Sequence, residues 1–218
     1  MVNVVHSPSL ADGDGRFIDS FDLIARFNRS LEKVTPEKQG SRTDILYSCI
    51  NRSPDSGNMT KETYQSVIEP SGAWLCKAYP NLDWKGYFSF NQDHRAGATY
   101  DNYAFETFNH APQRSSEFAV EWYKIIEANI KSRPNTGILA ILDLIQYDVN
   151  SLFLKGYTFF KGGYDKSYRN QNEDDVLNYM KQLGNHNQQR QNLFARKILL
   201  TESAIQFDEG LRAILDSM

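Results

Sequence analysis

Short runs rich in valine, isoleucine and leucine alternate along this chain with longer stretches whose apolar positions recur every three or four residues. The short runs occupy residues 2–6, 21–27, 44–50, 73–77 and 149–154, and each reads as a strand, 73–77 the weakest of them. The longer periodicity predicts helices over residues 115–130, 136–147, 174–183, 187–201 and 208–216. Strands alternating with helices predict an α/β fold with a mainly parallel sheet flanked by helices. Two polar, turn-rich stretches, residues 51–60 and 161–174, lie inside this alternation and not between two different patterns. One domain spanning residues 1–218 is therefore expected.

Composition narrows the classes. Of 218 residues, 40% are hydrophobic and 13% aromatic, which excludes a disordered chain, and a net charge of −3 excludes a basic nucleic-acid coat. The longest apolar run, residues 137–142, ends at Asp143 and falls short of the roughly 18–20 residues a membrane helix requires. The opening MVNVVHSPSLADGDG has no basic segment followed by an apolar one, so neither a secretory leader nor membrane attachment is expected. Cys49 and Cys76 show no CxxC spacing and are expected to be free thiols in a reducing, cytoplasmic setting. From 181 to 200 the chain carries Lys181, Arg190, Arg196, Lys197 and His186 without one acid. That stretch reads either as a solvated helix face or as a phosphate-facing surface.

Three segments place small hydrogen-bonding residues where a strand ends or a helix begins. Ser7-Pro8-Ser9 follows the first strand, at the sheet edge where ligands of open α/β folds bind. Its bland alternative is an ordinary connecting turn. Pro134-Asn135-Thr136-Gly137 opens the apolar stretch ILAILDLI; an Asn/Thr cap offers free N–H groups at the positive end of a helix, and Gly137 leaves room for a phosphate. Alone, such a segment is most often only a capped helix. Gly184-Asn185-His186-Asn187 opens the basic helix, and a histidine there is suited to general-base work on a hydroxyl, although a single histidine is more often structural. Asp12-Gly13-Asp14 has the DxD spacing of metal-dependent glycosyltransferases, but its glycines also make a plain turn. No zinc spacing, Walker loop, GxSxG or GxGxxG occurs.

Taken in order, these segments resemble the motifs of the sialyltransferase family of inverting glycosyltransferases that use CMP-sugars. Residues 13–44, with Gly13-Asp14-Gly15, Ile18-Asp19-Ser20-Phe21-Asp22, Ile24-Ala25-Arg26-Phe27-Asn28 and Gly40-Ser41-Arg42-Thr43-Asp44, are similar to the family's large sialylmotif. Val5-His6-Ser7-Pro8-Ser9-Leu10 is similar to the turn before it. Pro134–Gly137 with residues 149–160 is similar to the small sialylmotif, and His186-Asn187 falls where the family has its very small motif, H-x4-E. The departures are His6 for a phosphate-contacting asparagine, Asn135 for a serine, and Arg190 read in the place of the glutamate. Tyr164 or Tyr168 stands for a His/Tyr-rich motif, and Asp148 replaces the cysteine that secretory-pathway members use in a disulfide.

The resemblance implies a GT-A-like, Rossmann-like sialyltransferase fold and a bacterial, phage or giant-virus relative working in cytoplasm. It implies transfer of a sugar from a nucleotide-activated, CMP-type donor to a hydroxyl, with no metal cofactor. His186 is assigned the acceptor proton, Tyr164 or Tyr168 the leaving group, and His6, Ser7, Ser9, Asn28, Asn135, Thr136 and Gly137 the donor nucleotide. Residues 161–174 are expected to form a lid. A glycan hydroxyl is the family's acceptor; a hydroxymethylated base of phage DNA is the alternative, motivated by the acid-free basic stretch and the aromatic residues 100–108. A module that binds a nucleotide-sugar without turning it over is the second alternative, resting on Arg190.

Overall fold

Apolar residues at consecutive strand positions are sent to opposite faces of a sheet, and a strand covered by helices on both sides must be apolar throughout. The first strands follow that pattern except at buried Asn3 and Arg26. A computed structural model describes residues 1–4, 7–28, 30, 34–48, 66, 69–78, 115–117, 119–166, 170–183 and 186–218. In it β1 (Val2–Val4), β2 (Ile24–Phe27), β3 (Ile45–Ser48), β4 (Trp74–Lys77), β5 (Ser115–Glu117), β6 (Leu152–Lys155) and β7 (Ile205–Phe207) form one sheet in the order β5-β4-β3-β2-β1-β6-β7. Every neighbouring pair is parallel. The expected parallel α/β architecture is present.

Helices cover both faces. Val2, Val4 and Ile24 pack on one face with Leu10 and Ile18, beneath α1 (Asp14–Asp19). Phe17 of that helix meets Phe21 and Phe153 edge-on, at centroid distances of 5.1 and 5.2 Å. On the other face Ala25, Tyr47, Leu152 and Leu154 pack with Ala140, Ile141 and Leu144 of α5 (Thr136–Leu144), Leu199 of α7 (Gln188–Thr201) and Leu211 and Leu215 of α8 (Glu209–Asp216). Between these come α2 (Pro36–Gln39), α3 (Glu69–Ser71), α4 (Val120–Ile130) and α6 (Glu173–Leu183).

The strand order reverses at β1: the chain runs outward from β1 to β5, then returns to place β6 on the other side of β1. In an open parallel sheet that reversal leaves a crevice at the carboxyl ends of the two strands. The turns after β1 and after β6 therefore face the same opening. Their closeness is direct, because a Cβ added to Gly162 would lie 3.7 Å from Cγ of Pro8.

The expected elements shift at several places. Residues 115–117 were expected to begin a helix, yet they add to β4 as an edge strand, and the helix starts at Val120. β7 was not expected, since three residues carry no readable period and only pairing with β6 defines them. α1 begins within Asp12–Gly15, which reads as a turn, and α2 was not expected. Gly15 is what allows those two helices to touch: a Cβ there would stand 1.8 Å from the Pro36 carbonyl oxygen.

Candidate functional site

The longest motif, residues 13–44, builds a clasp and not a pocket. Arg26 sits on β2 with 1% of its surface exposed, so every N–H it carries needs a partner. Its Nε donates to Thr43 Oγ1 at 2.8 Å and the Arg42 carbonyl at 3.1 Å, and its Nη2 to the carbonyls of Gln39 at 2.5 Å and Arg42 at 3.0 Å. Burial lowers its pKa to about 10, against the opposing charges of Asp19 and Asp44. Asp19 accepts from the N–H groups of Ser41 and Arg42 and from the Ser41 hydroxyl. Burial disfavours that carboxylate, but these donors outweigh it and hold its pKa below the ordinary value. Arg42 in turn donates to the carbonyls of Asp19, Phe21 and Asp22 and pairs with Asp44 at 3.2 Å. The clasp sets the height of β2, and Asn28 follows at its carboxyl end with φ 53°. Asparagine tolerates this left-handed conformation better than most residues.

The sheet edge beyond β2 gathers the other expected residues. Asn135 caps α5: its Oδ1 accepts from the Ile138 N–H at 2.8 Å. Thr136 and Gly137, the first two helical residues, are buried, and a Cβ on Gly137 would meet the rings of Tyr157 and Phe27 at 3.4 and 3.6 Å. The rings of Phe27 and Tyr157 lie 6.1 Å apart, and the Tyr157 hydroxyl reaches the Gly137 carbonyl at 3.5 Å. Ser7 is buried and shares a 2.8 Å hydrogen bond with the hydroxyl of exposed Ser9, closing the turn after β1. Tyr164 meets Phe160 edge-on at 5.7 Å, and its N–H donates to the Gln171 carbonyl. His6, Tyr168, Cys49 and residues 100–108 lie outside the described residues.

His186 is brought to the same helix end. Its Nδ1 stands 2.7 Å from the Arg133 carbonyl oxygen, which can only accept, so Nδ1 carries the proton and Nε2 keeps the lone pair. The next residue donates its N–H to Ser132 Oγ at 2.9 Å, and Gln191 Oε1 accepts from the Asn135 N–H at 2.8 Å. Burial first, and then the Arg133 charge, push the half-buried imidazole from 6.5 down to about 4, against the pull of the carbonyl bond. This is lower than the near-neutral range expected of a base. The arrangement supplies a neutral imidazole with an unprotonated Nε2 beside a capped helix N-terminus and a guanidinium.

One sequence reading needs correction, and two that were left open gain structural contacts. Counted from His186, the sixth position of H-x4-E is Gln191 and not Arg190; Arg190 is an exposed residue of the first turn of α7. The inactive-module alternative then rests on Gln191 in place of the motif's glutamate. Asp14 of the DxD segment accepts from the Ala11 N–H at 2.9 Å and pairs at 3.1 Å with Lys155, which also reaches Asp208 at 3.5 Å. Its carboxylate is an anchor for α1. Within the basic stretch, Arg196 donates to the Leu215 carbonyl at 2.7 Å and ties α7 to α8, so part of that charge is structural.

Sequence reasoning missed two features of this edge. Tyr157 and Arg133 give no signal in the sequence because their importance comes from neighbours distant along the chain. Phe159 and Phe160 both adopt positive φ, 49° and 69°, in the connection after β6. Each costs roughly 1–2 kcal/mol for a side chain of this kind, and such strain concentrates where geometry is functional. Residues 161–174, expected as a lid, are braced across their base: Gly162 N–H donates to Glu173 and Tyr164 N–H to Gln171.

Among the described residues no group of three or more His, Cys, Asp or Glu side chains could hold a metal ion, and no helix is long and apolar enough to cross a membrane. No protein-family model matches the chain, and no curated protein matches it significantly. Its fold is that of solved sialyltransferases. The sialyltransferase CST-II in complex with a trisaccharide acceptor and CMP matches with a TM-score of 0.54 at 12% identity, covering 94% of this chain and 79% of that one. CstII from Campylobacter jejuni with the substrate analogue CMP-3FNeuAc matches at 0.54 and 13% identity, covering 98% and 83%. A mammalian sialyltransferase in complex with Gal-beta-1-3GalNAc-ortho-nitrophenol matches at 0.51 and 15% identity, covering 96% and 68%. At these identities the likeness establishes the shared fold.

Proposed function

We propose that this chain is an inverting glycosyltransferase that moves a sugar from a CMP-type donor to a hydroxyl of a glycan acceptor without a metal ion. The observation that supports the reading is an Nδ1-protonated His186 bonded to the segment that leads into α5, whose first turn packs on Phe27 and Tyr157 at the carboxyl ends of β2 and β6. The solved structures with the same fold, by their descriptions, hold CMP, a CMP-sugar analogue or a glycan acceptor.

The chemistry follows from the groups present. The donor phosphate sits at the N-terminus of α5, where the N–H groups of Thr136 and Gly137 and the Thr136 hydroxyl meet its charge. Ser7, Ser9 and Asn28 complete the cradle from the ends of β1 and β2. The acceptor oxygen attacks the anomeric carbon in line as the bond to the phosphate oxygen breaks. His186 Nε2 takes the hydroxyl proton, and the electron pair of the broken bond leaves on the phosphate. Arg133 offsets that negative charge. A bound phosphate raises the basicity of His186 above its value in the empty site, because a nearby anion favours the imidazolium.

The test is sugar transfer from CMP-sugars to a panel of glycans, with and without EDTA. Transfer that survives EDTA and falls roughly 10²–10⁴-fold in His186→Ala, while CMP affinity holds, is the expected result. Transfer that EDTA abolishes and Mn²⁺ restores refutes the metal-free reading. A His186→Ala variant that turns over normally but no longer binds CMP makes the imidazole a phosphate ligand.

A further inference from the structure

Gln191 is fully buried, at 0% exposure, in the first turns of α7. Its Oε1 accepts from the Asn135 N–H at 2.8 Å, and its Nε2 has no hydrogen-bond partner among the described residues. Turning the amide over would set two donors face to face, so the orientation is forced by Asn135. An orphaned buried donor is costly, and a leucine would fill similar space without it. Residues 186–191 reach residues 132–135 through three bonds: His186 to the Arg133 carbonyl, the Asn187 N–H to Ser132 Oγ, and Gln191 to the Asn135 N–H. The Gln191 bond is the one that lands on the cap of α5 itself. The cap's side-chain oxygen is already engaged with Ile138, and Gln191 holds the same residue by its N–H.

We propose that Gln191 is the positioning residue of the site, a neutral side chain that registers the His186 imidazole against the N-terminus of α5. The idea rests on the transferase reading above but concerns a contact measurable without turnover. Removing the contact leaves each partner able to act alone: the helix end still meets an anion and the imidazole is still present. Their relative placement is lost, and misplacement of about 1 Å costs a reaction about 10²-fold.

The experiment compares Q191L, which cannot accept the Asn135 N–H, with Q191E, whose carboxyl oxygen can. Expected for Q191L is a kcat lower by about 10- to 100-fold with CMP affinity changed by less than about threefold, and recovery of most of the loss in Q191E. Two measurements on the free protein accompany the kinetics. Hydrogen exchange of the Asn135 amide should quicken at least about tenfold in Q191L and return toward wild type in Q191E. The His186 ring titration should move upward from about 4 toward its ordinary 6.5 in Q191L, as the imidazole loosens from the Arg133 carbonyl and takes up water. Wild-type kcat in Q191L, or equal loss in both variants, overturns the proposal. If the wild-type chain transfers no sugar at all, the transferase reading falls, and unchanged exchange and titration in Q191L would then overturn the positioning role as well.

Discussion

Replacing Arg26 by methionine removes the centre of the clasp between β2 and the segment that leads into β3. The side chain is 1% exposed and supplies three hydrogen bonds of good length, to Gln39 O, Arg42 O and Thr43 Oγ1, with longer contacts to Gly40 and Arg42. Each acceptor left unpaired in a buried place costs about 1–3 kcal/mol. Against that, the guanidinium no longer has to be stripped of water, and the Arg42 carbonyl lies close enough to solvent to be rehydrated. The net loss expected for Arg26→Met is about 3–5 kcal/mol, from the carbonyl and hydroxyl acceptors left unpaired. Arg26→Lys keeps the charge but not the fork, and should recover less than half of it. Urea unfolding followed by circular dichroism measures the difference, with the midpoint falling and the slope held. A loss below about 1 kcal/mol at unchanged slope would show that these bonds are readily replaced by water, and the clasp argument would fail.

Asn3 carries the opposite expectation: it is fully buried on β1 with neither amide atom partnered among the described residues, so Asn3→Val should stabilise the fold by about 1 kcal/mol or more. A destabilised Asn3→Val, again by urea unfolding, would mean that an ordered water satisfies the amide. The pKa of His186, lowered from 6.5 to about 4 on folding, means the unfolded chain binds more protons in that window. Stability from this group is complete above pH 6.5 and declines as the pH falls toward 4. The wild type should therefore lose more than His186→Gln between those limits, and parallel curves would refute the burial argument. Thr136→Ala should weaken CMP binding by about 1–3 kcal/mol. Asn28→Gly, chosen because glycine accepts the 53° φ without strain, should do the same by calorimetry. Wild-type affinity in either variant, with the fold intact, removes that residue from the site.

Features that depend on a few adjacent residues were legible in the sequence. The cap before α5 is one: Asn135 binds the N–H three residues on, as Asn187 does for α7 and Asp208 for α8. A cap needs only its own turn, so the residue type announces it. The apolar strands were legible for a similar reason, since burial on both faces leaves a continuous run such as IARF with only its arginine out of place. That arginine is where local reading stops. Its partners lie 13–17 residues away, in a segment whose path is set by Gly15 admitting α2 against α1. The strands β5 and β7 were invisible because three residues hold no period, and only a neighbour's exposed edge makes them strands. The site divides along the same line. His186, Thr136 and Gly137 were candidates by residue type and position alone, whereas the tautomer, the low pKa and the place of Gln191 come from contacts spanning 53 and 56 residues. Sequence pattern reports what a residue does to its own turn or strand, whereas charge, register and burial are properties of the partners that folding supplies.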